Sequence, residues 1–211
     1  MKNIKYFFQF ILIVFLVAFS TSNLEATEYK IDNDHSFIAF KIGHFKVGHV
    51  LGRFNIFAGE IVYNKENIEN SSVSAKIDTL SIDTGVAKRD FHLRTSEFLD
   101  ILKFPGITFN SKKIRLDKDN KHFLITGTLK IKNKERDISI RAKELGKTID
   151  PYEQERVAFE GTAELNRFDF DINFDGRLKD NSPMIGDKIN VVIYLEAIKT
   201  EEKKWKHVLM Q

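Results

Sequence analysis

The chain is dominated by a period of two. Val73, Ala75 and Ile77 point one way along an extended backbone while Ser72, Ser74, Lys76 and Asp78 point the other, because successive side chains of a strand face opposite sides. The same alternation runs through Phe123, Ile125, Gly127, Leu129 and Ile131, broken only by Leu124, and through Val157, Phe159, Gly161, Ala163 and Leu165. Ile189, Val191, Ile193, Leu195 and Ala197 form a last strand, and Ile38, Phe40 and Ile42 open the series. Turn-forming clusters at Asp117-Lys118-Asp119-Asn120, Asn133-Lys134-Glu135 and Asp180-Asn181-Ser182-Pro183 separate runs short enough to pair as antiparallel neighbours. About eight such strands, each with one apolar face, make an all-β sandwich or close into a barrel without free edges. Alternation is compatible with both.

Two stretches depart from the pattern. Asp83 to Arg94 and Ser96 to Leu102 read as short helices, the first capped by Asp83 or Thr84 and the second by Ser96. Pro105 closes this region, and Ile107-Thr108-Phe109 resumes strand character.

At the N-terminus Lys2 and Lys5 precede an apolar run from Tyr6 to Phe19 interrupted only by Gln9, followed by Ser20, Thr21, Ser22 and Asn23. That is the layout of a signal peptide, and the run is shorter than the ~20 residues a spanning helix needs. Cleavage after Ala26 is expected, leaving residues 27–211 as one domain destined for the periplasm or the exterior; an uncleaved anchor is the competing reading. Loss of Lys2, Lys5 and Glu25 takes the net charge from +3 to +2. A weak charge spread among alternating signs gives no footprint for nucleic acid. With no cysteine, disulfides and thiolate chemistry are excluded and stability rests on packing. Of 19 phenylalanines, fourteen lie beyond the leader, enough for a large apolar core. An outer-membrane barrel fits poorly, because Lys130, Lys132, Arg156, Glu160 and Glu164 would have to line its lumen.

The densest polar cluster is Arg89-Asp90-Phe91-His92-Leu93-Arg94, with Asp83 and Thr84 just upstream. On a helix Arg89 and His92 share a face, and Asp90 and Arg94 are four apart, so Arg94 could hold Asp90 while His92 points to a pocket. The bland reading is a solvated face with one ion pair worth about 0–1 kcal/mol. The six histidines carry no recognisable metal-ligand spacing, and no G-x-S-x-G elbow or paired nucleophile is present.

The order of motifs resembles the YceI-like family of lipocalin-like polyisoprenoid-binding proteins. The likeness runs along nearly all the chain beyond the leader. It is carried by Asp32-Asn33-Asp34-His35-Ser36 with Phe40 and His44, Gly52-Arg53-Phe54, and Ser81-Ile82-Asp83-Thr84-Gly85. It continues through the Arg89 to Arg94 block, Phe104-Pro105, Ile125-Thr126-Gly127-Thr128-Leu129, Asn166-Arg167-Phe168-Asp169-Phe170 and Gly186-Asp187-Lys188-Ile189. Two departures stand out, since the family usually has glycine where Asn133 and Asp171 sit; Asn133 is expected to take positive φ, and Asp171 to be less comfortable.

The resemblance implies an exported, eight-stranded antiparallel lipocalin-like barrel with one or two short helices at one mouth, an isoprenoid chain in its bore, and often a homodimer. The expected ligand-binding residues are Arg89, Asp90, His92, Arg94, Asp83, His35, Phe40, Phe54 and Ile125. No catalytic or metal-ligating residue is expected, and no cofactor beyond a bound isoprenoid, quinone or fatty-chain ligand. His35 and Asn166-Arg167 match family motifs but read as structural hydrogen-bonding residues, and Lys203-Lys204-Trp205-Lys206 as a frayed end that could touch an anionic membrane surface. The alternative function is a periplasmic hydrolase of an ester or prenyl diphosphate, with His92 as base and Arg89 or Arg94 stabilising an anion.

Overall fold

The computed structural model describes residues 26–200 of the 211; the expected leader, apart from Ala26, and residues 203–206 lie outside them. Eleven strands are present: β1 (Thr27–Ile31), β2 (Phe37–His44), β3 (Gly48–Phe54), β4 (Phe57–Tyr63), β5 (Ser72–Asp78), β6 (Ile82–Asp83), β7 (Gly106–Leu116), β8 (Phe123–Ile131), β9 (Lys134–Ile149), β10 (Glu155–Asn166) and β11 (Ile185–Lys199). One helix, α1 (Ala87–Leu93), sits between β6 and β7.

All neighbouring strands pair antiparallel, and the sheet closes on itself. The circuit β1-β4-β5-β7-β8-β9-β10-β11 returns to β1, giving an eight-stranded barrel. Tyr29 of β1 opposes both Ile61 of β4 and Lys199 of β11. Strands β2, β3 and β6 continue the wall along the upper part of β11, where Val191 opposes Phe40 and Phe40 opposes Gly52. Sandwich and barrel, both open from alternation, are thus resolved in favour of the barrel. Closure pairs both edges of each strand in the circuit, while the β2-β3-β6 extension ends at β6, which pairs with β3 alone.

Inward positions follow the period of two, with one instructive slip. In β7, Ile107 and Phe109 face the core, but the register shifts between Ser111 and Lys113. The extra residue, Lys112, moves the inward phase by one, so Ile114 rather than the next odd position is buried, at 4% exposure. Lys112 itself turns outward to Asp137.

Several local expectations are corrected. Residues 96–102 form successive turns instead of a second helix, because Asp100 takes φ of +50° and its N–H returns to the Thr95 carbonyl. Helix α1 begins at Ala87 with Val86 as its uncapped N-terminal flank, and neither Asp83 nor Thr84 occupies the capping position. In the β8–β9 turn the positive φ falls on Lys132, at 55°, and not on Asn133; Lys134 and Glu135 already belong to β9. Asp171 adopts the left-handed conformation as the C-terminal flank of the 3-10 turn Arg167–Phe170, a geometry its short polar side chain tolerates. It is then tied to the β8–β9 turn by Lys132 Nζ on its carbonyl (2.8 Å) and Lys134 Nζ on its carboxylate (3.1 Å). The Asp180–Pro183 cluster lies within a long connection from β10 to β11, braced by an Arg177–Pro183 bridge.

Candidate functional site

The barrel encloses an apolar cavity of about 420 Å³, within the ~300–1,000 Å³ range typical of small-molecule sites. Ile125 lines it, opposite Ile114 on β7 and Ile140 on β9. Phe40 and Phe54 line it too, their ring centroids 6.0 Å apart. Gly52 makes this part of the wall possible: a Cβ there would lie 2.4 Å from Phe40 Cζ and 2.8 Å from Thr84 Cγ2.

One end of the cavity is shaped by α1, the turns after it and the segment following β10. A turn through Gly85, at φ +76°, leads the chain into α1. The Asp90 carboxyl is buried at 7% exposure and accepts from the Thr84 N–H (2.9 Å) and Oγ1 (2.5 Å). Arg89 donates from Nε to Thr84 Oγ1 (2.7 Å) and from Nη2 to the Thr84 carbonyl (2.8 Å). Thr84 is therefore the hub that fixes the helix. The expected Asp90–Arg94 side-chain pair is replaced by this arrangement, and Arg94 donates instead to the Ile82 carbonyl (2.9 Å).

His92 projects into the cavity end, with its ring edge-on to Phe98 (5.0 Å) and Phe174 (5.7 Å), which stack on each other. Its Nε2 lies 2.5 Å from Glu97 Oε2. Of the nine residues expected to bind ligand, five line the cavity: Arg89, His92, Phe40, Phe54 and Ile125. Asp90 and Arg94 act behind that surface. Asp83 does not line the cavity; bonds from the Gly85 N–H and from Asn55 outweigh burial and hold its carboxyl below the usual range.

His35 is elsewhere. It lies on an exposed 3-10 turn outside the barrel, its Nδ1 2.9 Å from Asp32 Oδ2. Asp32, His35 and Glu196 converge closely enough to suggest a cation site. Arg156 fills that space, with Nη1 2.7 Å from Asp32 Oδ2 and 2.6 Å from Glu196 Oε1, and with Nε 2.7 Å from Asp150.

Most of the cavity lining was not singled out from the sequence as binding residues, and three of these residues lie beside His92 or in the segment after β10. Phe98 and Phe174 fall in stretches without strand period. Arg167, read there as structural, is 2% exposed and donates to the carbonyls of Gly186 (3.1 Å), Ile172 (2.7 Å) and Phe174 (2.9 Å) while reaching the cavity wall. Its guanidinium lies 4.0 Å from the Phe168 ring, and burial lowers its proton affinity. Asn166 caps the same turn by accepting from the Phe168 N–H (3.0 Å).

An eight-stranded antiparallel barrel closed around an apolar bore, with a few polar groups at one end, defines a lipocalin-like barrel protein. The particular family follows from comparison: residues 29–197 match the model of the YceI-like domain, and the chain belongs to that family. It is 34% identical to a UPF0312 protein of Vibrio parahaemolyticus, covering 83% of this chain and 89% of the relative. Protein YceI of Salmonella newport is 35% identical over 74% of this chain and 82% of its own length. The crystal structure of Burkholderia cenocepacia BcnA superposes with a TM-score of 0.69 at 20% identity, covering 79% of this chain and 98% of that one. A polyisoprenoid binding domain from Saccharophagus degradans, implicated in plant cell wall breakdown, superposes at 0.59 and 15% identity, covering 82% and 98%.

Proposed function

We propose that this protein binds and carries a long-chain amphiphile, an isoprenoid or a similar quinone or fatty chain, with its tail in the bore and its head beside Arg89 and His92. The observation that carries the reading is the almost wholly apolar cavity inside a closed barrel. Such a space gains by exchanging water for hydrocarbon, and its few polar groups at one end suit a head group. Membership of the YceI-like family supports it, as does the name of the Saccharophagus neighbour. Export to the periplasm or exterior rests on the leader of residues 1–26, and a homodimer on the family likeness. Exposed Val47 and Leu102 in connections and Phe91 on α1, at 90%, 95% and 72%, would suit contact with a membrane during ligand exchange.

Native mass spectrometry of the purified protein followed by organic extraction tests this, and is expected to return a copurified apolar ligand. Ligand-free protein from several hosts, combined with no uptake of prenyl probes, overturns it. The close His92–Glu97 pair favours one second reading, a hydrolase of ester or prenyl diphosphate substrates; turnover of such substrates, lost in His92→Ala, would establish it.

A further inference from the structure

We propose that Tyr63 is a crossbar that ends the bore and limits the length of chain the protein accepts. This rests on the carrier reading above and adds a residue that sets specificity.

Tyr63 is the last residue of β4, and β4 stands four places from β9 in the circuit of eight strands, directly across the barrel. Regular alternation points Tyr63 inward, together with Ile61. It crosses the bore: its hydroxyl donates to Glu144 Oε2 on β9 at 2.5 Å. On the way its ring meets Phe159 of β10 edge-on at 5.2 Å and Phe123 of β8 at 6.3 Å. A side chain at 7% exposure that reaches three strands opposite its own spans the bore at that level.

Toward β1, β10 and β11 the layer beyond Tyr63 is closely packed: Tyr29, Val157 and Ala197 are 1%, 1% and 0% exposed, and none of them lines the cavity, whereas Tyr63 does. On the β4–β5 side Ile68 and Ser71 still line it. His92, with Arg89 on the same helix, meets Phe174 beyond the C-terminal end of β10, whereas Tyr63 meets Phe159 in the first half of that strand, which sets the two at opposite ends of the bore. A ligand held by its head at Arg89 and His92 meets Tyr63 with its tail. Lys65 Nζ, 3.2 Å from Glu144 Oε1, keeps the carboxylate partnered if the phenol is removed.

The test is binding of a series of all-trans prenyl alcohols lengthened one isoprene unit at a time, by the wild type and by Tyr63→Ala, Tyr63→Val and Tyr63→Phe, each checked for folding by circular dichroism. In the wild type affinity rises with length and then stops rising. Tyr63→Ala is expected to bind the first alcohol beyond that limit about tenfold or more tighter than the wild type, with shorter chains little changed. Tyr63→Phe keeps the ring and is expected to keep the limit. Tyr63→Val retains a β-branched side chain suited to a strand and serves if the alanine variant does not fold. An unmoved limit in folded Ala or Val variants, or a limit moved equally by Phe, overturns the crossbar and leaves the carrier reading standing. A wild type that binds none of the series overturns the crossbar, and overturns the carrier reading as well where no apolar ligand copurifies.

Discussion

Arg167 shows how much one buried side chain can hold in place. Its guanidinium gathers three backbone carbonyls from two segments that flank the cavity end. Replacement by alanine would leave those acceptors buried without donors, at about 1–3 kcal/mol each. Arg167→Ala should therefore lose roughly 3 kcal/mol or more, and Arg167→Lys should recover only part, since an ammonium lacks the planar fork; urea denaturation measures both. Arg156 makes a pH-dependent counterpart. Burial pushes the Asp32 carboxyl up, but bonds from Arg156, His35 and the Asp34 N–H outweigh it, and the Arg156 bond holds Asp150 low as well. Carboxyls with lowered folded values contribute stability that is present above their ordinary range near ~4 and lost as pH falls through the folded values. Arg156→Met should flatten the loss of stability below about pH 4 in a series of urea titrations. His35 has the opposite sign: Asp32 raises its proton affinity, so its small contribution is complete below about 6.5 and fades as pH rises through the raised folded value.

Among the elements, α1 is too short to persist by itself, since isolated helices below ~12 residues are marginal. Its seven residues are held by Asp90 and Arg89 on Thr84. Asp90→Ala should cost about 2 kcal/mol and speed amide exchange across α1 well before global unfolding. The sequence made β5, β8, β10 and β11 legible because one face of each is buried and the other solvated. It concealed the second half of β9: after Ala142 the strand runs Lys-Glu-Leu-Gly-Lys-Thr, and its last residues extend past the buried part of the sheet with little apolar contrast to read. The helical reading of residues 96–102 failed for a tertiary reason, since Phe98 and Leu99 are buried at 8% and 7% by a chain path that the left-handed Asp100 permits. Of the site, Phe40, Phe54 and Ile125 were recoverable from alternation and motif order. Tyr63 carried the same signal, two residues after Ile61, but facing inward is all that alternation reports; which opposite wall a side chain reaches depends on closure.

For the molecule as a whole, the bore is also the core, so substitutions along it test fold and function together. Ile125→Asp would bury an unpaired carboxylate among Ile114, Ile140 and the chain path, and should abolish folding or lipid uptake. Retention of both, seen by circular dichroism and a prenyl-probe assay, would place any ligand outside the barrel.

The ring is completed by β1 and the last residues of β11, Tyr29 against Lys199 and Ile31 against Ala197. The first strand of the barrel thus waits for β11, and no portion of the chain that lacks β11 can complete the ring. Contacts between such distant residues make folding slow and leave strand edges exposed meanwhile. That delay hands the risk of aggregation to whatever shields the open edges until these two strands meet.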